Sequence, residues 1–212
     1  MYEGEFEFDR NIIYPGDPTA TDTRIKEYAS YYAIKYDLCK RKNPKVIAEI
    51  GVRCGYSAWS FLQACPNVRY VGLDDNNGTH GGKGGEDGSF FKWAGQILSK
   101  YNTTLIEADT QKIIDLKDFK DKNEDSYSIV DVDFFHVDGD HTSEGVYHDL
   151  SLALEVLSEN GMILVDDIAY LKTVREGVNE WLSNMGTMVM NEFISSLRGE
   201  MLIWRRFEKG LP

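Results

Sequence analysis

The chain is poor in the features that mark several large protein classes. It has three cysteines, Cys39, Cys54 and Cys65. They are scattered and odd in number, which leaves neither a zinc-ligand spacing nor a disulfide framework, and we read them as free thiols in a reducing compartment. Basic residues are in deficit, 23 against 35 acidic, for a formal net charge of -12. Phosphate backbones are held by clustered Lys and Arg, so nucleic acid is not the expected partner. No run approaches the roughly 18 consecutive apolar residues that span a bilayer. The acidic, alternating start Met1-Tyr2-Glu3-Gly4-Glu5-Phe6-Glu7 lacks the basic-then-apolar order of a signal peptide. A cytoplasmic protein with no membrane partner is the expectation. His141 and His148 stand seven apart, which is not a zinc helix spacing. The Gly-x-Gly-x-x-Gly fingerprint of dinucleotide enzymes is also missing, which disfavours a nicotinamide dehydrogenase.

What is present alternates between two periods. Residues 1–20, with Pro15-Gly16-Asp17-Pro18, read as an extended arm or lid, and residues 21–212 as a single domain. A helix is predicted over Thr23–Cys39, with Ile25, Tyr28, Ala29, Tyr32 and Tyr36 on one face as core packing. Asn43-Pro44 ends it. Strands are expected at Val46–Ile50, Val68–Leu73, Thr103–Ala108, Val132–Val137 and Gly161–Val165. Between them fall helices at Ser57–Ala64, Ser89–Leu98 (capped by Ser89), Gln111–Phe119 and Ser143–Ser158. Asn160-Gly161 reads as the stop of the last of these. Lys120–Ser128 reads as a surface loop, and Trp59 and Trp93 as helix packing residues. A helix at Lys172–Asn184 precedes a terminal strand pair, Thr187–Phe193 and Met201–Phe207. This β-α-β-α order predicts an α/β fold: a doubly wound, mostly parallel sheet with helices on both faces and an antiparallel terminal strand.

Two segments carry the chemistry. Phe134-Phe135-His136-Val137-Asp138-Gly139-Asp140-His141 and Met162-Ile163-Leu164-Val165-Asp166-Asp167 are apolar runs that end in acid. Carboxyl ends of parallel strands are where open α/β sheets bind ligands. Adjacent strands would gather Asp138, Asp166 and Asp167 at one point, and crowded carboxylates raise each other's pKa unless a cation compensates them. An all-oxygen set suits Mg²⁺ or Ca²⁺ better than Zn²⁺. Each residue also has a plainer reading: Asp140 or Thr142 as a helix cap, Asp166-Asp167 as a turn cap, His141 as a surface residue at a helix start.

The turn Glu49-Ile50-Gly51-Val52-Arg53-Cys54-Gly55-Tyr56-Ser57 joins the first strand to its helix. Gly51 and Gly55 permit a tight turn and close ligand approach. Asp74, ending the second strand, is placed to accept from ribose hydroxyls. Asn76–Gly88 reads as a mobile glycine-rich loop and a candidate lid; His80 and Lys83 there are candidate substrate contacts or a solvated tip.

These motifs resemble class I S-adenosylmethionine-dependent methyltransferases of Rossmann-like fold. The resemblance implies that Glu49 lies near the methionine amino group, that Ser57 helps hold its carboxylate end, and that Asp109 lies near the adenine. Asp138-Gly139-Asp140-His141 and Asp166-Asp167 resemble the metal-dependent O-methyltransferases, in pattern closest to the macrocin type, with the catechol and caffeoyl-coenzyme A enzymes more distant. The resemblance covers roughly Lys45 to Ala169. It implies Mg²⁺ or another divalent cation on Asp138, Asp166 and Asp167. The catechol-type enzymes carry Asn where this chain has Asp167, and a Lys base at the position of His141. Here His141 or Asp140 would take the proton. The expected acceptor is a small molecule with a hydroxyl, a sugar or vicinal diol. A non-catalytic cofactor-binding protein, or a hydroxylase-like relative, is the alternative. No motif sets the oligomeric state, for which a homodimer is the commonest case.

Overall fold

The structure, a computed structural model, describes residues 6–78 and 87–206. His80 and Lys83, and most of the glycine-rich loop, lie outside the described residues. The elements in chain order are α1 (Asp22–Lys42), β1 (Val46–Ile50), α2 (Tyr56–Ala64), β2 (Arg69–Asp74), α3 (Ser89–Leu98), β3 (Thr103–Glu107), β4 (Phe119–Lys120), β5 (Ser126–Tyr127), β6 (Val132–Val137), α4 (Ser143–Val156), β7 (Leu157–Val165), α5 (Lys172–Met185), β8 (Val189–Ile194) and β9 (Glu200–Arg205). Seven strands form one sheet in the order β3-β2-β1-β6-β7-β9-β8. β1, β2, β3, β6 and β7 run parallel, and β9 joins β7 antiparallel. The sheet is therefore the doubly wound one expected. Strand order reverses between β1 and β6, and such a switch point opens a crevice at the carboxyl ends of the strands.

Two apolar clusters cover the sheet faces. One holds Phe135, Val146, Leu150, Ile163 and Trp181, and the other Tyr32, Ile47, Phe61, Tyr70 and Phe134. Residues 6–20 pack onto the second face rather than standing apart. Phe8 stacks on Tyr32 with centroids 5.2 Å apart, and the Trp93 indole donates to the Ile12 carbonyl at 2.6 Å. All three cysteines are buried free thiols. No helix among the described residues is long and apolar enough to cross a membrane.

Several boundaries differ from expectation for local reasons. Helix α1 runs to Lys42, closed by Asn43 at φ 49 with its N–H on the Cys39 carbonyl, while Lys40, Arg41 and Lys42 offset the helix dipole. Its buried face includes Tyr28, Tyr31, Tyr32, Lys35, Leu38 and Cys39, with Ala29 exposed. Gly88, not Ser89, is the N-cap of α3. In place of the helix expected at 111–119 there is a 3-10 turn, Thr110–Lys112, and Phe119 begins β4. There the Asp115 carboxylate accepts from the Lys117 N–H at 2.8 Å, and such local side-chain bonds compete with helix. The expected surface loop contains the short β4–β5 pair. Gly161 does not stop a helix. α4 ends at Val156 and β7 follows at once, with a register shift opposite Val132–Phe134. A Cβ at Gly161 would sit 2.6 Å from the Val132 carbonyl oxygen, so glycine serves close strand approach there.

Candidate active site

A cleft opens at the switch point, lined by residues of α1, the β1–α2 turn and the ends of β2, β6 and β7. Hydrogen bonds from Asp138 N–H to the Ile50 carbonyl (3.0 Å), from Asp166 N–H to Val137 (3.1 Å) and from Gly51 N–H to Leu73 (2.9 Å) extend the pairing of β2, β1, β6 and β7 by one residue. These four strand ends thus deliver Asp74, Gly51, Asp138 and the Asp166-Asp167 pair to one rim.

At one end of the cleft lies the β1–α2 turn. Gly51 has φ +90, and a Cβ there would lie 1.9 Å from the Asp138 carbonyl oxygen. Glycine is therefore required by backbone angle and by space. Gly55, at φ +77, caps the start of α2, and a Cβ there would lie 3.0 Å from the Ala94 Cβ of α3; unlike Gly51 and Ser57, it does not line the cleft. Asp74 lines it. Its carboxylate accepts from Arg53 N–H at 2.7 Å and Asn76 N–H at 2.8 Å, and burial raises its pKa against those bonds. Glu49 is wholly buried behind the turn. It accepts from the hydroxyls of Ser57 and Tyr70 and pairs with His136 Nδ1 at 2.8 Å. Only Ser57 of that group faces the cleft. Asp109 does not line it either: it caps the following turn and pairs with Lys112 at 3.0 Å, while its neighbours Ala108 and Thr110 form the wall.

At the acidic end Asp138 belongs to two groups of possible ligands, one with His141 and Asp167 and one with His136 and Asp166. Asp138, His141 and Asp167 line the cleft, and one ligand atom from each lies within 4.8 Å of the others. His141 Nε2 is 3.4 Å from Asp138 and 3.8 Å from Asp167. Burial alone would lower the imidazole pKa; Asp138 and Asp167 outweigh it and raise it. Burial, with the charges of Asp138 and Asp166, pushes Asp167 up to about 7. Asp167 adopts the left-handed φ of 59, uncommon outside glycine, and Arg198 holds it at 3.3 Å.

Asp166 faces inward. Its carboxylate accepts from Lys35 at 2.6 Å and from the Tyr31 hydroxyl, and its other oxygen accepts from Asp167 N–H at 2.8 Å. Of the ligand set expected from sequence, Asp138 and Asp167 line the cleft with His141, while Asp166 lies behind them, with a carboxylate oxygen still within 4.8 Å of Asp138. Asp140 leaves the site. Its carboxylate accepts from Thr142 N–H at 2.8 Å at the start of α4, and it does not line the cleft.

Sequence reasoning missed the buried cations. Lys35 and His136 are 0% exposed. His136 interrupts an apolar strand, a signal of a buried partner; Lys35 has no such signal. Burial and Lys35 work against protonation of His136, yet Asp166 and Glu49 prevail and lift its pKa to about 9.

Asp149 of α4 lies beneath the Thr110–Gly139 wall. One oxygen accepts from Thr110 (2.8 Å) and Gln111 (3.0 Å). Burial pushes its pKa from 3.8 to about 6. Such a carboxyl binds its proton more tightly folded than unfolded. Its stabilising effect is full below its unfolded pKa and is lost as pH rises through about 6. Urea denaturation of Asp149→Asn and the parent should show the variant gaining about 3 kcal/mol relative to the parent as pH rises from roughly 4 to 8. A difference that does not change with pH would refute the shift.

A glycine turn, a strand-end acid and an acid–imidazole cluster around one cleft define a cofactor-dependent α/β enzyme. The chain belongs to the methyltransferase domain family, which matches residues 48–168. It is similar to the O-methyltransferase TomG of Streptomyces achromogenes, involved in tomaymycin synthesis and solved with SAM, with TM-score 0.63 and 16% identity over 84% of this chain and 80% of that one. An SAH-bound methyltransferase of Podospora anserina superposes with TM-score 0.61 and 15% identity over 88% and 89% of the two chains. An SAH-bound O-methyltransferase of Bacillus cereus gives 0.59 and 14% over 89% and 93%. At these identities the likeness is one of fold. No curated protein sequence matches the chain.

Proposed function

We propose that the protein transfers a methyl group from S-adenosylmethionine to a hydroxyl of a small molecule, with a divalent cation beside the acceptor. The observation that carries this reading is the meeting of Asp138, His141 and Asp167 in the same cleft as Gly51 and Asp74. Gly51 lets the cofactor approach the backbone, Asp74 has lone pairs left for ribose hydroxyls, and Ser57 faces the methionine end. The donor set fits a cation: two carboxylates crowd one imidazole, and Asp167 is driven toward neutrality without one. Asp138 and Asp167 would hold it. A bound cation polarises an acceptor oxygen and lowers its pKa. His141, beside both acids, takes the proton from the hydroxyl. Arg198 keeps Asp167 aimed at the cleft. An imidazole at the rim admits Mn²⁺ as well as Mg²⁺.

Calorimetry with S-adenosylhomocysteine and Mn²⁺ paramagnetic resonance test this together. Binding of both is expected, with Mn²⁺ lost in Asp138→Ala but retained in His141→Ala. Turnover of His141→Ala should fall roughly 100- to 10,000-fold. Failure to bind S-adenosylhomocysteine at millimolar concentration would end the methyl-transfer reading; failure to bind Mn²⁺ alone would end the metal part of it.

A further inference from the structure

The basic groups around the cleft differ in how they are neutralised. Arg53 pairs with Asp17 at 2.7 Å, Arg198 with Asp167 at 3.3 Å, and buried Lys35 with Asp166 at 2.6 Å. Arg24, on the first turn of α1, also lines the cleft, yet among the described residues no carboxylate lies within ion-pairing distance of it. Its guanidinium makes one long hydrogen bond, 3.4 Å, to the Tyr170 hydroxyl. In a chain with 35 acids against 23 bases, a cleft arginine without an acid is conspicuous.

The hydrogen-bond partner of its guanidinium lies on the Asp167 side of the cleft. Tyr170 follows Asp167 by three residues, and its N–H bonds to the Asp167 carbonyl at 3.1 Å. Arg198 lies over the Tyr170 ring at 5.6 Å and over the Tyr31 ring at 5.0 Å. Arg24 is therefore tied to the Asp167 side of the cleft, with Tyr28, Tyr31 and Tyr32 of the same helix lining the wall beside it. A planar guanidinium left without a carboxylate suits bidentate binding of a carboxylate or phosphate.

We propose that the methyl acceptor is anionic: a hydroxyl compound whose carboxylate or phosphate is held by Arg24 while its hydroxyl lies at Asp138, His141 and Asp167. This rests on the methyl-transfer reading above and names the acceptor class for that site. Acceptor charge, rather than ring type, is then what this wall of the cleft selects.

The test uses the full chain with S-adenosylhomocysteine and Mn²⁺, and two probes alike except in charge, catechol and 3,4-dihydroxybenzoate. Titration calorimetry should show the acid binding about tenfold tighter or better than catechol, the size of a charge-assisted hydrogen bond. Arg24→Gln should bring the two affinities together, leaving S-adenosylhomocysteine affinity and melting temperature unchanged. Equal affinities in the parent protein, no binding of the acid, or a preference that survives Arg24→Gln would overturn the assignment. So would a loss of S-adenosylhomocysteine affinity in Arg24→Gln, since that would place the cofactor's carboxylate on this arginine. Failure of the parent protein to bind S-adenosylhomocysteine would instead strike the methyl-transfer reading itself.

Discussion

Lys35→Ala is expected to lower unfolding free energy by about 3–5 kcal/mol, the effect of stranding one partner of a buried ion pair. Lys35 and Asp166 are both buried, 2.6 Å apart, and Lys35 reaches His136 at 3.2 Å. Burial opposes the charge on each, yet Lys35 holds Asp166 well below the usual carboxylate range, and Asp166 with Glu200 raises Lys35. Removing the ammonium leaves a carboxylate that water cannot reach, with the Tyr31 hydroxyl and the His136 imidazole still beside it. The double variant Lys35→Met with Asp166→Asn removes both charges and should recover much of the loss. Urea denaturation of the single and double variants measures this directly. A single variant within about 1 kcal/mol of the parent would contradict the buried pair. The consequence extends to the cleft, because Asp166 accepts from the Asp167 N–H and so helps fix the left-handed turn that presents Asp167.

Gly51→Ala is expected to be the more damaging to function. The new methyl would stand 1.9 Å from the Asp138 carbonyl oxygen, at φ +90. Both offending groups are backbone, at the paired ends of β1 and β6, so no side chain can yield. Relief requires the β1–α2 turn to move away from Asp138, which separates the glycine-turn end of the cleft from the acidic end. We expect a loss of roughly 3 kcal/mol or more from clash and backbone strain together. Folded protein should no longer bind S-adenosylhomocysteine. Circular dichroism melting and calorimetry on the same sample separate the two effects. A variant with parental melting temperature and cofactor affinity would mean that this approach of the strands is not as described.

The sheet was legible because buried parallel strands are short apolar runs between turn residues, and Val46–Ile50 and Val132–Val137 match their expected limits. Less legible were segments where side chains bind the backbone locally, such as Asp115 at Lys117, or where glycine serves packing rather than a turn, as at Gly161. The site was partly legible for a related reason. An apolar strand ending in acid places a carboxylate at the ligand-binding edge whatever surrounds it, and Asp74, Asp138 and Asp167 are there.

Which of two neighbouring acids faces the cleft was another matter. Asp166 and Asp167 are adjacent in the chain, and the choice between them is made by Lys35, 131 residues away in sequence and brought under the sheet by α1. Glu49 is likewise claimed by Tyr70 and His136 from the neighbouring strands, and Asp140 by the first turn of α4. Local pattern determined the strands, their order of appearance and the acids at their ends, because hydrophobic periodicity and chain punctuation act over a few residues. Tertiary packing alone decided which of those acids stay open to a ligand, because a carboxylate's orientation depends on which distant cation is buried beside it.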